Sequence, residues 1–231
     1  MDASTLLNQL LQSGRELAAK GQDLIEAKFN LPEAGPERDA LLAKAGKGAA
    51  ATGVLALLLG TRAGRRLTGA TLKVGSLAAL GTLAYQAYQQ WQAQSGTAPT
   101  VLGTPVDQLT GPSAEQRSLT LLKAMIAAAK ADGQIDPTEQ GQIETYLHSF
   151  ALNPDLQRQL QEEITKPLSV QDIAAGADSP AAAAEIYLTS LAMIGEVNPK
   201  ERDYLGELAT ALKLAPEVVA RLEQPAEAKP A

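Results

Sequence analysis

Asp132, Asp136 and Glu139 fall within one short stretch, Ala131-Asp132-Gly133-Gln134-Ile135-Asp136-Pro137-Thr138-Glu139, a spacing that can gather three carboxylates where one helix ends and the next begins. Oxygen-only ligands of this kind suit a hard divalent cation, Ca²⁺ or Mg²⁺, rather than zinc. The chain has no cysteine, and its one histidine, His148, lies outside the motif. The spacing is not that of an EF-hand, which needs ligands at alternating positions and a closing Glu. Part of the motif also has a structural use, with Asp136 as N-cap, Pro137 at the first helical position and Glu139 reaching back, worth about 1 kcal/mol. Asp132 is different. It precedes Gly133, the expected helix terminator, so its anion faces the negative end of the helix macrodipole at a cost of roughly 0.3–1 kcal/mol. A cation held between Asp132, Asp136 and Glu139 offsets that cost, whereas Lys130 is adjacent in sequence but points elsewhere on a helix.

Little else in the chain has the spacing of a reaction centre. Phosphate loops, dinucleotide fingerprints and nucleophile elbows are missing from the sequence, and the lack of cysteine removes thiol chemistry. His148 reads as a structural or surface residue, Glu162 and Glu163 as a solvated helix face, and Met125 and Met193 as core. Charge is unevenly spread: residues 1–100 carry ten Lys/Arg against seven Asp/Glu, and residues 101–231 carry ten against nineteen. So acidic a C-terminal half argues against nucleic acid as a partner, because phosphate binding needs clustered positive charge. These features predict a binding protein rather than an enzyme.

The elements that must position the acids are helices. The acidic stretch is echoed sixty-two residues later by Met193-Ile194-Gly195-Glu196-Val197-Asn198-Pro199-Lys200-Glu201, so the C-terminal half reads as one helical unit used twice. Ile194 replaces Asp132 in that second copy, and any site there is expected to be lost. Ser113 with Gln116, Asn153-Pro154, Ser169 with Asp172 and Ser179-Pro180 signpost helix starts. The expected helices run near 114–131, 137–151, 154–165, 170–176, 180–194, 199–213 and 216–223. Offset pairs such as Phe150 with Leu212 and Leu152 with Leu214 suggest two helix pairs docked about a pseudo-two-fold.

In front of this all-α unit, residues 1–33 predict an amphipathic N-terminal helix, with Leu6, Leu7, Leu10 and Leu11 among its apolar positions. Two uncharged apolar runs follow, Gly48–Thr61 and Val74–Tyr88, and no Asp or Glu occurs between Asp39 and Asp107. Each run is shorter than the ~20 residues that span a bilayer, but flanking residues can lengthen both. Arg62, Arg65 and Arg66 lie between them where anionic lipid would meet them, and Tyr85, Tyr88 and Trp91 cluster at one end as in an interfacial belt. Residues 44–91 therefore read as membrane-associated, crossing as a hairpin, crossing once or lying in the interface; the alternative is a set of buried helices in an Ala/Gly-rich bundle. Gly60 and Gly64 would allow close helix contact and a homo-oligomer. Residues 92–112 read as a linker, 113–224 as the helical domain and 225–231 as a disordered tail.

The run Ala127–Glu139, with Glu185–Ser190 and Tyr204–Ala209, resembles the YebE-type family of bacterial inner-membrane proteins of unknown function, which are similar to tellurite-resistance TerB-like helical domains. The likeness covers about residues 45–223. It implies a TerB-like all-α domain, an inner-membrane location, and a metal ion on Asp132, Asp136 and Glu139; the positive-inside tendency leaves the C-terminal domain cytoplasmic if only the first apolar run crosses. The likeness implies no activity. The expectation is a membrane-tethered, divalent-cation-binding module acting in envelope or metal stress; the alternative is a metal-free adaptor that recruits an unidentified protein partner at the membrane lipid surface.

Overall fold

The computed structural model describes residues 1–12, 76–95, 101–131, 147, 150–194 and 199–224. Among the described residues every regular element is helical. They are α1 (residues 3–12), α2 (Leu77–Ser95), a 3-10 turn (Val106–Gln108), α3 (Gly111–Ala129), α4 (Pro154–Thr165), α5 (Val170–Ala174), α6 (Pro180–Ile194), α7 (Pro199–Ala211) and α8 (Pro216–Leu222).

The centre is the pair α3 and α6. Helix α6 is buried almost all round, from Ala181 to Leu191 without a break and again at Met193 and Ile194, as its nearly continuous apolar sequence requires. Helix α3 turns Leu121, Leu122, Met125 and Ile126 into the same core. Around this pair α4 packs on α3, α7 on α5 and α6, and α8 on α2 and α6.

Several helix starts follow from local sequence. Asn153 caps α4 by accepting the Leu156 N–H at 2.7 Å with Pro154 at the first helical position, and Ser169 caps α5 by accepting from Asp172 N at 3.2 Å. Ser179 does the same for α6, accepting from Ala182 N at 3.2 Å. The capping box expected at Ser113 is not used as the start of α3, which begins at Gly111 after Thr110 with no side-chain cap bond. In the turn two residues past the end of α7, Lys213 has a φ of +56°, a left-handed position more often held by glycine.

Helix α2 overturns the inner-membrane placement. Its Leu77, Leu80, Ala84, Ala87 and Tyr88 are buried, and the helix packs on α6, α8 and the 3-10 turn. The segment expected to face lipid faces the protein's own core, and no described helix is long and apolar enough to cross a membrane. The expected aromatic belt is an internal contact: the Tyr88 and Trp91 rings meet edge to face with centroids 5.6 Å apart. The outward side carries Thr82, Gln86, Gln89 and Gln90, so the segment lacks charge without being apolar on every face. The other membrane signals, Gly48–Thr61 with Gly60 and Gly64 and the group Arg62, Arg65 and Arg66, lie outside the described residues.

Candidate functional site

The expected metal ligands Asp132, Asp136 and Glu139 lie outside the described residues, as does His148. Among the described residues no group of three or more His, Cys, Asp or Glu side chains converges to hold a metal ion. What the structure does describe is the approach to the acidic motif. Lys130 closes α3 two positions before Asp132, and it is buried. Its Nζ donates to the carbonyl oxygen of Glu163 at 2.8 Å and to that of Lys166, both at the C-terminal end of α4. A buried ammonium is stable there because it meets carbonyls that have no partner inside their own helix. Burial lowers the Lys130 pKa, the Glu163 carboxylate opposes that, and Lys166 adds to it.

The cations on either side are likewise engaged. Lys166 pairs with the buried Glu163 at 2.9 Å and with Asp172 at 3.2 Å. Burial works against the Lys166 charge, but the two carboxylates outweigh it and raise the pKa. Asp172 is held below the usual carboxylate range, first by Lys166 and then by Ser169. On the exposed side of α4, Arg158 pairs with Asp155 at 2.9 Å.

A second charged group lies inside the helix bundle, and sequence reading missed it. Arg117 of α3 donates from Nη1 to Glu185 Oε2 of α6 at 2.5 Å, and from Nη2 to Asp178. Glu185 is fully buried, and its other oxygen accepts the Val106 N–H at 2.7 Å. Burial pushes the Glu185 pKa up, while the Val106 N–H and the Arg117 guanidinium pull it back. Ser179 joins the group by donating to Asp178 at 2.9 Å. One signal for it was present in the sequence: Glu185 is the only charged residue in Pro180–Ile194, and a lone carboxylate on a buried helix requires a cation. Both Glu185 oxygens are bonded by protein groups, while the buried Arg117 Nε has no partner among the described residues, and the cluster ties α3 and α6 to Val106 of the 3-10 turn.

The tyrosines of α6 and α7 are also held internally. Tyr187 donates to Glu223 at 2.6 Å, and the Tyr204 and Ser190 hydroxyls stand 3.4 Å apart. Burial first, with Glu163 adding to it, pushes the Tyr204 pKa up to about 12. At the surface, an open groove of about 900 Å³ runs between the end of α5 and α7. Ala174, Ala177 and Gly206 line it, with Glu207, Thr210 and Lys213 at its polar side.

A family model described as "Protein of unknown function (DUF533)" matches residues 44–226. The "Uncharacterized protein in ampR 5'region" of Yersinia enterocolitica is 33% identical over 110 residues, spanning 48% of this chain and 79% of that protein. No solved structure matches the chain.

Proposed function

The chain belongs to the DUF533 family of proteins of unknown function, and we propose that it is a non-enzymatic binding module that holds a divalent cation on Asp132, Asp136 and Glu139. The reading includes the TerB-like plan of repeated helix pairs and the likeness to YebE-type proteins. It is supported by the burial of Phe150 and of its offset partner Leu212, and by the packing of half-buried Leu152 and of its offset partner Leu214 against one core.

One observation carries the cation reading. The basic residue nearest Asp132 in sequence is committed elsewhere, since Lys130 is buried against the carbonyls of Glu163 and Lys166. Arg117 and Lys123 of α3 are also engaged, by Glu185 and by Gln159. An acidic motif following a helix whose own cations are taken draws its counter-charge from outside the helix, and a hard cation supplies it directly.

Calorimetric titration of the full chain with Ca²⁺, Mg²⁺ and Mn²⁺ tests this. A saturable heat for at least one ion, lost in the Asp132→Asn/Glu139→Gln double variant, is the expected result. Heat that persists in the double variant rules out these ligands. No heat in the wild-type chain favours the second reading, a metal-free adaptor, for which the open groove between α5 and α7 is the supporting feature.

A further inference from the structure

The family match begins at residue 44, yet residues in front of it take part in seating α4. Ala3, Leu6, Leu7 and Leu10, an i, i+3, i+4, i+7 set on α1, are buried in the one core that also holds Leu156, Leu160 and Ile164 of α4. The polar contacts of this segment fall on two different elements. The Ala3 N–H donates to Glu115 of α3 at 2.8 Å, a charge-assisted bond stronger than one between neutral groups. On the other side the Met1 carbonyl accepts from Asn153 N at 3.1 Å, and the Met1 amino group donates to the Ala151 carbonyl. Asn153 thus has two tasks. Its side chain caps α4 through the Leu156 N–H at 2.7 Å, while its own backbone N–H is held by Met1.

Helix α4 depends on such support. Among α2 to α8 it packs chiefly on α3, and its far side, with Asp155, Arg158 and Glu162, is exposed. Its C-terminal end is fastened by Lys130 of α3, whose Nζ donates to the carbonyls of Glu163 and Lys166. We infer that α1 is a clasp for α4: it bridges Glu115 near the start of α3 and residues 151–153 in front of α4, and fixes the N-terminal end of α4 as Lys130 fixes the C-terminal end. Held at both ends, α4 keeps its angle on α3, and the carbonyls that seat Lys130 stay in register with the last turn of α3. The folded domain therefore includes residues 3–12, ahead of the region that the family model covers. This inference is independent of the cation site.

Native-state hydrogen exchange on the full chain tests the clasp, with wild type compared against Leu7→Ala. Amides of residues 154–165 are expected to lose protection together with those of residues 3–12, by at least ~10-fold more than residues 183–191 of α6. Val218→Ala, at a fully buried position of α8, is the control and should show no such bias toward α4. Protection lost at residues 3–12 alone would make α1 a passenger on the domain and overturn the inference. An equal loss throughout would make Leu7 one more core residue, and overturns it as well. Should Leu7→Ala fail to fold, Glu115→Ala decides, since it removes the acceptor of the Ala3 N–H and leaves the buried leucines in place. The same bias toward residues 3–12 and 154–165, at least ~3-fold, is then expected, and its absence overturns the clasp.

Discussion

Two glycines with the same kind of backbone separate a conformational cost from a steric one. Gly103 has φ +84° and Gly111 has φ +58°, both in the region that favours glycine. Around Gly111 an added Cβ would meet nothing within 4 Å, whereas at Gly103 it would stand 2.4 Å from Ser179 Cβ and 2.6 Å from its Oγ. Gly111→Ala should therefore show the backbone penalty alone, about 1–2 kcal/mol. Gly103→Ala carries that penalty and also displaces Ser179, the cap of α6, at about 1 kcal/mol. It further strains the adjacent bond from Ala181 N to the Leu102 carbonyl, 2.8 Å long, which contributes about another 1 kcal/mol. The expected cost at Gly103 is about 3–4 kcal/mol, some 2 kcal/mol more than at Gly111. Urea unfolding followed by far-UV circular dichroism gives both values, with an unchanged m-value as the check that only stability has moved. The decisive measurement is the Ser179→Gly background. Removing the Ser179 side chain clears the space and substitutes a tolerated cap, so Gly103→Ala should then cost no more than Gly111→Ala. Equal costs of the two alanines in the wild-type background, or no relief by Ser179→Gly, would refute the close packing of residue 103 on the start of α6.

Arg117→Met leaves the Glu185 carboxylate buried with only the Val106 N–H, and should destabilise by about 3–5 kcal/mol; Asp178→Asn, at the exposed edge of the same group, should cost less than about 1 kcal/mol in the same urea assay. Because burial raises the Glu185 pKa, the folded chain holds that proton more tightly than the unfolded chain. Its contribution is full below the unfolded value of about 4.3 and is lost as pH rises through the higher folded value. Stability measured between about pH 4 and 7 should thus shift toward the Glu185→Gln variant relative to wild type as pH rises, and a flat difference would contradict the assignment. Spectrophotometric titration should find that Tyr187 and Tyr204, both raised first by burial, stay protonated well above the ordinary tyrosine range until the fold opens. Lys213→Gly should raise the melting temperature, since it relieves a left-handed lysine of about 1 kcal/mol net of glycine's greater unfolded freedom.

What the sequence made legible was local. Asn153, Ser169 and Ser179 mark their helices because a cap involves residues within three positions of one another. The start of α3 was misread for a related reason: Ser113 and Gln116 have capping-box spacing, but the chain enters its helix through Gly111 with φ +58°, a backbone turn that no side-chain pattern records. The Arg117–Glu185 pair joins residues sixty-eight positions apart. A lone acid on an apolar helix shows that a cation is required without showing which one. The acidic motif of Asp132, Asp136 and Glu139 lies outside the described residues, and the structure contributes the engagement of Lys130 next to it.

The misreading of α2 has a more general cause. Absence of charge shows what a helix avoids and not the medium it avoids it in, because a protein core and a bilayer both exclude unpaired ions. The distinction lies on the face turned away from the apolar stripe. A lipid-facing helix must be apolar there too, since its outward side chains have no water to bond. Helix α2 instead exposes Thr82, Gln86, Gln89 and Gln90, which carry no charge but retain full hydrogen-bonding demand. Read face by face, with Leu77, Leu80, Ala84, Ala87 and Tyr88 on one side and the glutamines on the other, the segment describes a helix lying on a protein surface with its far side in water. Hydropathy averaged along the chain merges those two sides, and the neutrality of glutamine then passes for apolarity.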